Sequence, residues 1–190
     1  QLGPVEKRFD SDTLFIRKDD VVKNTRGKLL QYNLYVLQEK SKKEETQVTS
    51  CMVYLHSHGG NRLEGMSLLR YAGLLGINFC FFDFFGHGLS EGDYCTLGVK
   101  ESEDLDSVLD DLQQNHGMSR FVLWGRSMGA VAAIVSASRN PKNIDYLILD
   151  SPFPSIEQVV RDYGARFLKI GEYVALMMFN MVRDEIMDKT

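Results

Sequence analysis

Three cysteines are too few, and too irregularly spaced, to suggest a disulfide framework. Cys51, Cys80 and Cys95 also lack the paired spacing of a zinc ribbon or finger. Reduced thiols in a reducing compartment are the simplest reading, which points to the cytoplasm. Basic residues do not exceed acidic ones: the formal net charge is −4, with no basic stripe, so nucleic acid is not an expected partner. No apolar run is long enough to span a bilayer, and no signal peptide is visible. Internal repeats are absent. The one polar, mixed-charge tract, 38–50 (QEKSKKEETQVTS), reads as a solvated connection. Histidine is also scarce: His56, His58, His87 and His116 all precede residue 127, and none follows.

What remains suits one compact α/β domain over residues 1–190, a length enough for one core and not two. Residues 13–17 (TLFIR) form a short strand candidate. A turn signal at 24–28 follows, and then Leu30, Tyr32, Leu34 and Val36 alternate as in a half-buried strand. From Cys51 the pattern changes. CMVYLH, INFCFFDFF, RFVLW and IDYLILD are continuous apolar runs of strand length, separated by helical stretches. Leu105, Val108, Leu109 and Leu112 have helical spacing, as do Met128, Val131, Ala132 and Val135. Such alternation predicts a mostly parallel sheet with helices on both faces and an antiparallel N-terminal edge. Residues 155–190 read as helical. Tyr173, Met177 and Met181 lie four apart there, on a methionine-rich face that suits packing or a lid segment.

The strongest local signal is Gly125-Arg126-Ser127-Met128-Gly129, between the strand FVLW and the helix MGAVAAIVSAS. This is the G-x-S-x-G nucleophile elbow in its strand–turn–helix setting. A serine there sits on a strained turn, and the flanking glycines remove side chains that would meet neighbouring backbone. Ser127 is therefore the candidate nucleophile. The backbone N–H of Met128 and that of Gly60, in His58-Gly59-Gly60, are the candidate oxyanion donors. His58 reads as a loop histidine held by backbone hydrogen bonds, His56 as a packed strand residue, and His116 as a helix C-terminal cap. Asp83 is placed to cap N–H groups of a glycine-rich turn. That turn is not a dinucleotide fingerprint, because no phosphate-binding helix starts at it.

Four segments in order, HSHGGNR at 56–62, FDFFGHGLSEG at 82–92, GRSMGA at 125–130 and LDSPFPS at 149–155, give a wider resemblance. The chain resembles the α/β-hydrolase superfamily, in particular the serine aminopeptidase-like (hydrolase-4) group, which includes monoglyceride lipases, esterases and depalmitoylating hydrolases. The resemblance implies the α/β-hydrolase fold and a serine hydrolase acting on an ester, thioester or amide. It implies an acyl or other small-molecule substrate, and no metal or organic cofactor. It also exposes a departure. The triad runs Ser, then Asp or Glu, then His, yet no histidine follows Ser127. The expectation is that the last strands, the histidine and the acid lie beyond residue 190, and that residues 1–190 alone are inactive. Asp150 is a weaker candidate acid, and His87 a base in an unusual order. A non-catalytic interaction module is the alternative reading. Membrane association, and self-association through an unpaired sheet edge, stay open.

Overall fold

The computed structural model describes residues 3–9, 13–39, 48–139 and 143–163, with 171, 173–174, 176–177 and 179–180. The chain divides into two compact units, Gln1–Pro152 and Phe153–Thr190.

The first unit is a seven-stranded sheet in the order β1-β2-β3-β5-β4-β6-β7. Strands β1 (Glu6–Arg8), β2 (Thr13–Lys23) and β3 (Leu29–Glu39) are antiparallel neighbours, and β3 pairs antiparallel with β5 (Asn78–Phe82). Strands β5, β4 (Ser50–Leu55), β6 (Arg120–Arg126) and β7 (Ile144–Asp150) run parallel. The mostly parallel sheet and its antiparallel edge are as expected. The edge is larger than the sequence indicated. β2 continues six residues past Arg17 to Lys23, β1 was not anticipated, and residues 38, 39 and 50 belong to strands rather than to the polar connection. Residues 40–47 of that tract lie outside the described residues.

The runs of β4 and β5 are continuously apolar because both their faces are covered, whereas β7 is largely exposed. Cys51, Val53 and Leu55 of β4 join Cys80 and Phe82 of β5 on one face. They pack with Leu105, Val108 and Leu112 of α2 (Val99–His116) and with Met128, Ala132 and Ala133 of α3 (Met128–Arg139). Met52 and Tyr54 alternate onto the other face with Phe79 and Phe81, where Leu69 and Ala72 of α1 (Leu69–Leu75) cover them. Two-residue periodicity within each strand thus feeds two cores.

A buried carboxylate ties α2 to the loops beneath it. Asp104 is fully buried. It accepts from Asn24 Nδ2 at 2.8 Å and the Phe85 amide at 3.0 Å, and pairs with Arg26. Burial pushes its carboxyl above the ordinary carboxylate range, while the Phe85 amide, Asn24 and Arg26 pull it back. The β2–β3 turn and the loop after β5 therefore share one acceptor.

The second unit begins with α4 (Ile156–Tyr163), and residues 173–174, 176–177 and 179–180 are helical. Met181 and the rest of the expected methionine-rich face beyond it lie outside the described residues.

Replacing Asp104 with Ala strands three donors at once. Asp104→Ala is expected to lower stability by about 3 kcal/mol, the scale of breaking a buried ion pair from one side. A urea midpoint unchanged from wild type would contradict this role for Asp104.

Candidate functional site

Parallel strands deliver their C-terminal ends to one edge of the sheet, and the singled-out residues lie in the segments leaving that edge: 56–62 after β4, 83–95 after β5 and 126–128 after β6. In open α/β sheets this is where ligands bind.

Ser127 links β6 directly to α3, with φ at 51°. That left-handed backbone is costly for a residue with a Cβ and persists only where the surroundings enforce it. Two contacts do so. The Ser127 N–H donates to the Asp150 carbonyl at 2.8 Å, and the Ser127 carbonyl accepts from Ala130 and Val131 at 3.0 and 3.1 Å. The glycines are fixed by space. A Cβ on Gly129 would run into Leu55 O and lie 2.8 Å from His56 O. One on Gly125 would lie 2.6 Å from the Ala130 Cα. Met128 opens α3 and is buried. As a first-turn residue its N–H has no acceptor within the helix.

The turn after β4 differs from a donor poised for use. The Gly60 N–H donates to the Ser57 carbonyl at 2.9 Å. Glu64 organises the same turn, accepting from the Ser57 amide at 3.1 Å and from Arg126 at 2.7 Å. Arg126 also faces Asp150, at 3.6 Å. The Asp150 side chain is exposed and accepts from Ser151 Oγ at 2.8 Å. Its main-chain carbonyl is the part that touches the Ser127 backbone.

The four histidines are placed as follows. His56 is fully buried, its Nε2 accepting from the Phe84 amide at 3.2 Å, so Nδ1–H donates to the Ser57 carbonyl at 2.8 Å. It is a packed residue, as expected. His58 corrects the sequence reading: its Nδ1 meets the thiol of Cys95 at 3.1 Å rather than a backbone group, because the loop after β5 folds back across the turn. The His87 ring lies between two carbonyls, Phe85 O and His58 O, each 3.0 Å away. His116 is not the helix cap. Its Nε2 lies 2.8 Å from Tyr32 Oη, which donates to Asp111, and the Gly117 N–H closes α2 on Leu112 O. Among the described residues no histidine ring is bonded to the Ser127 hydroxyl.

Asp83 meets its expectation. Its carboxylate accepts from the Arg62 amide at 2.7 Å and the Leu89 amide at 2.8 Å, and pairs with the Arg62 guanidinium at 3.0 Å. It binds the turn after β4 to the glycine-rich loop after β5. Sequence reasoning missed Glu64, Arg62 and Cys95, because their partners are distant in sequence.

Burial lowers the pKa of His56, while its bond to Ser57 opposes that shift only in part. A folded value below the unfolded one, about 6.5, leaves the neutral ring costless at high pH. Stability is therefore full above that value and is lost as pH falls through the lower, folded one. The expected result is that denaturant midpoints fall below about pH 6.5, and fall less steeply in His56→Gln. Parallel pH profiles for the two proteins would remove His56 from this account.

The model of the family "Serine aminopeptidase, S33" matches residues 67–182, more than half of the chain. Protein bem46 of Schizosaccharomyces pombe is 27% identical over 139 residues, covering 72% of this chain and 44% of that protein. The α/β-hydrolase domain-containing protein WAV2 of Arabidopsis thaliana is 29% identical over 108 residues, 55% of this chain and 34% of its own length. The chain thus spans less than half the length of these relatives. Among solved structures, the Pyrococcus furiosus esterase Pf2001 superposes with a TM-score of 0.68 at 26% identity, over 85% of this chain and 61% of that one. With the family model matching more than half of it, the chain belongs to the serine aminopeptidase S33 (hydrolase-4) family of the α/β-hydrolases.

Proposed function

We propose that Ser127 is the nucleophile of a serine hydrolase that cleaves an ester, thioester or amide of an acyl substrate. The observation that carries this reading is the strained Ser127 backbone at the strand–helix junction, beside the first-turn N–H of Met128. The glycines at 125 and 129 tolerate no Cβ, and backbone strain of the kind Ser127 carries collects at active sites. The esterase likeness supports the same class of reaction.

In this mechanism the Ser127 hydroxyl attacks the substrate carbonyl and passes its proton to a histidine base. The triad order of the fold puts that histidine, and the carboxylate that orients it, C-terminal to residue 190. Asp150 then serves Ser127 through its main-chain carbonyl. The developing oxyanion takes the Met128 N–H, and also the Gly60 N–H once that turn releases the Ser57 carbonyl. Each such donor is worth about 3–4 kcal/mol in serine hydrolases. Water releases the acid from the acyl-enzyme.

The three free cysteines fit a reducing compartment, so a cytoplasmic site is part of the reading. Among the described residues no helix is long and apolar enough to cross a membrane. One relative, 33% identical over 87 residues, is an uncharacterized membrane protein of Saccharomyces cerevisiae, so peripheral membrane contact is compatible.

A second reading, a non-catalytic interaction module on the hydrolase fold, draws on the Gly60 N–H being turned onto Ser57. Hydrolysis of p-nitrophenyl and acyl-thioester substrates by the full-length protein separates the two. Ser127→Ala is expected to reduce kcat by about 10^4-fold or more while leaving the melting temperature within a few degrees of wild type. Equal turnover by wild type and variant would favour the module.

A further inference from the structure

A second group of side chains, not used by acyl transfer, meets where the loop after β5 crosses the turn after β4. His58 lies on that turn, His87 in the glycine-rich loop, and Cys95 just beyond it. One donor atom from each lies within 4.8 Å of the other two. The closest approach is Cys95 Sγ to His58 Nδ1, at 3.1 Å, and the two imidazole rings stand nearly perpendicular, 5.8 Å between centroids. His58 is exposed and the other two are half-buried, so the group opens to solvent on one side.

Two backbone carbonyls hold the His87 ring in place. Each of its ring nitrogens faces a carbonyl oxygen at 3.0 Å, Nδ1 on Phe85 and Nε2 on His58. A neutral imidazole has one N–H, so it can serve one carbonyl and must turn a lone pair toward the other. With the proton on Nδ1, the ring has the arrangement of a metal-bound histidine: the outer nitrogen donates to a backbone carbonyl and the inner one offers its lone pair. A second ring proton, or a cation beside Nε2, relieves the opposed lone pairs.

The donor set selects the ion. Two imidazoles and a thiol suit zinc-class metals, whereas calcium and magnesium require oxygen ligands. Zinc bonds of about 2.0–2.1 Å to nitrogen and 2.3 Å to sulfur put neighbouring ligand atoms of a tetrahedron roughly 3.3–3.7 Å apart. The observed separations, 3.1 Å for one pair and at most 4.8 Å for all three, bracket that spacing. Cysteine spacing alone hides such a site, because only one thiol takes part.

We propose that His58, His87 and Cys95 bind a thiophilic divalent cation of the zinc class, with its fourth position open to water. The ion would fasten the 57–60 turn to the 83–95 loop. On binding, the Cys95 S–H bond breaks, a sulfur–metal bond forms, and one proton leaves to solvent, with no change of oxidation state.

Cobalt(II) titrated into the full-length protein tests this independently of hydrolysis. The expected result is one equivalent bound, with a near-ultraviolet thiolate-to-cobalt charge-transfer band that zinc displaces. Cys95→Ser is expected to abolish the band, and His87→Ala to weaken binding by about 10-fold or more. Cys51 and Cys80, fully buried in the sheet, cannot supply the thiolate without unfolding, and thermal melts of each variant verify the fold. Absence of the band, or a band that survives Cys95→Ser in folded protein, would overturn the site.

Discussion

The candidate site depends on the contact between the start of α3 and the end of β4. Gly129 lies against the carbonyls of Leu55 and His56 so tightly that no side chain fits. That contact brings α3 down onto the sheet, and it leaves Ser127 only the left-handed backbone in which to turn from β6 into the helix. The Ser127 N–H then reaches the Asp150 carbonyl at the end of β7. Three adjacent parallel strands, β4, β6 and β7, thus converge on one residue. The strain is held by the packing of α3 against β4, and Ser127 itself is half-buried.

The loops around it are arranged by carboxylates rather than by regular structure. Asp83 joins the turn after β4 to the glycine-rich loop through Arg62 and the Leu89 amide. Asp104 joins that loop to the β2–β3 turn through Phe85, Asn24 and Arg26. Glu64 binds Ser57 on one side and Arg126 on the other. Each buried or half-buried acceptor gathers several donors, which is the condition under which buried charge is tolerated. The turn that holds Gly60 is thereby ordered from three directions. Its N–H faces Ser57 within that order, and use of Gly60 as an oxyanion donor requires a local change in this turn alone.

Much of this was legible in the amino-acid sequence, for identifiable reasons. The run at 51–56 read as a strand because a doubly covered parallel strand needs no polar face, whereas the apolar run at 144–150 forms a strand whose residues are largely exposed. The strand–turn–helix passage at 125–129 was legible because its glycine spacing marks a tight turn between an apolar strand and a helix. The extension of β2 to Lys23 was not. Lys18, Asp19 and Asp20 look like loop residues, yet they pair in register with Leu34, Asn33 and Tyr32, and Asp19 accepts from Asn33 Nδ2 at 2.6 Å. Pairing at the antiparallel edge is decided by the neighbouring strand, which local composition does not reveal. His116 and His58 were misread for the same reason. Their partners, Tyr32 and Cys95, are brought to them by the fold, 84 and 37 residues away in the chain.

The central claim is chemical: the strained serine is a nucleophile. The most direct measurement is intact-mass spectrometry of the full-length protein after treatment with a fluorophosphonate, followed by peptide mapping. The account predicts one adduct, on Ser127, and none on Ser127→Ala. An unlabelled full-length protein, or an adduct mapped to another residue, would contradict it.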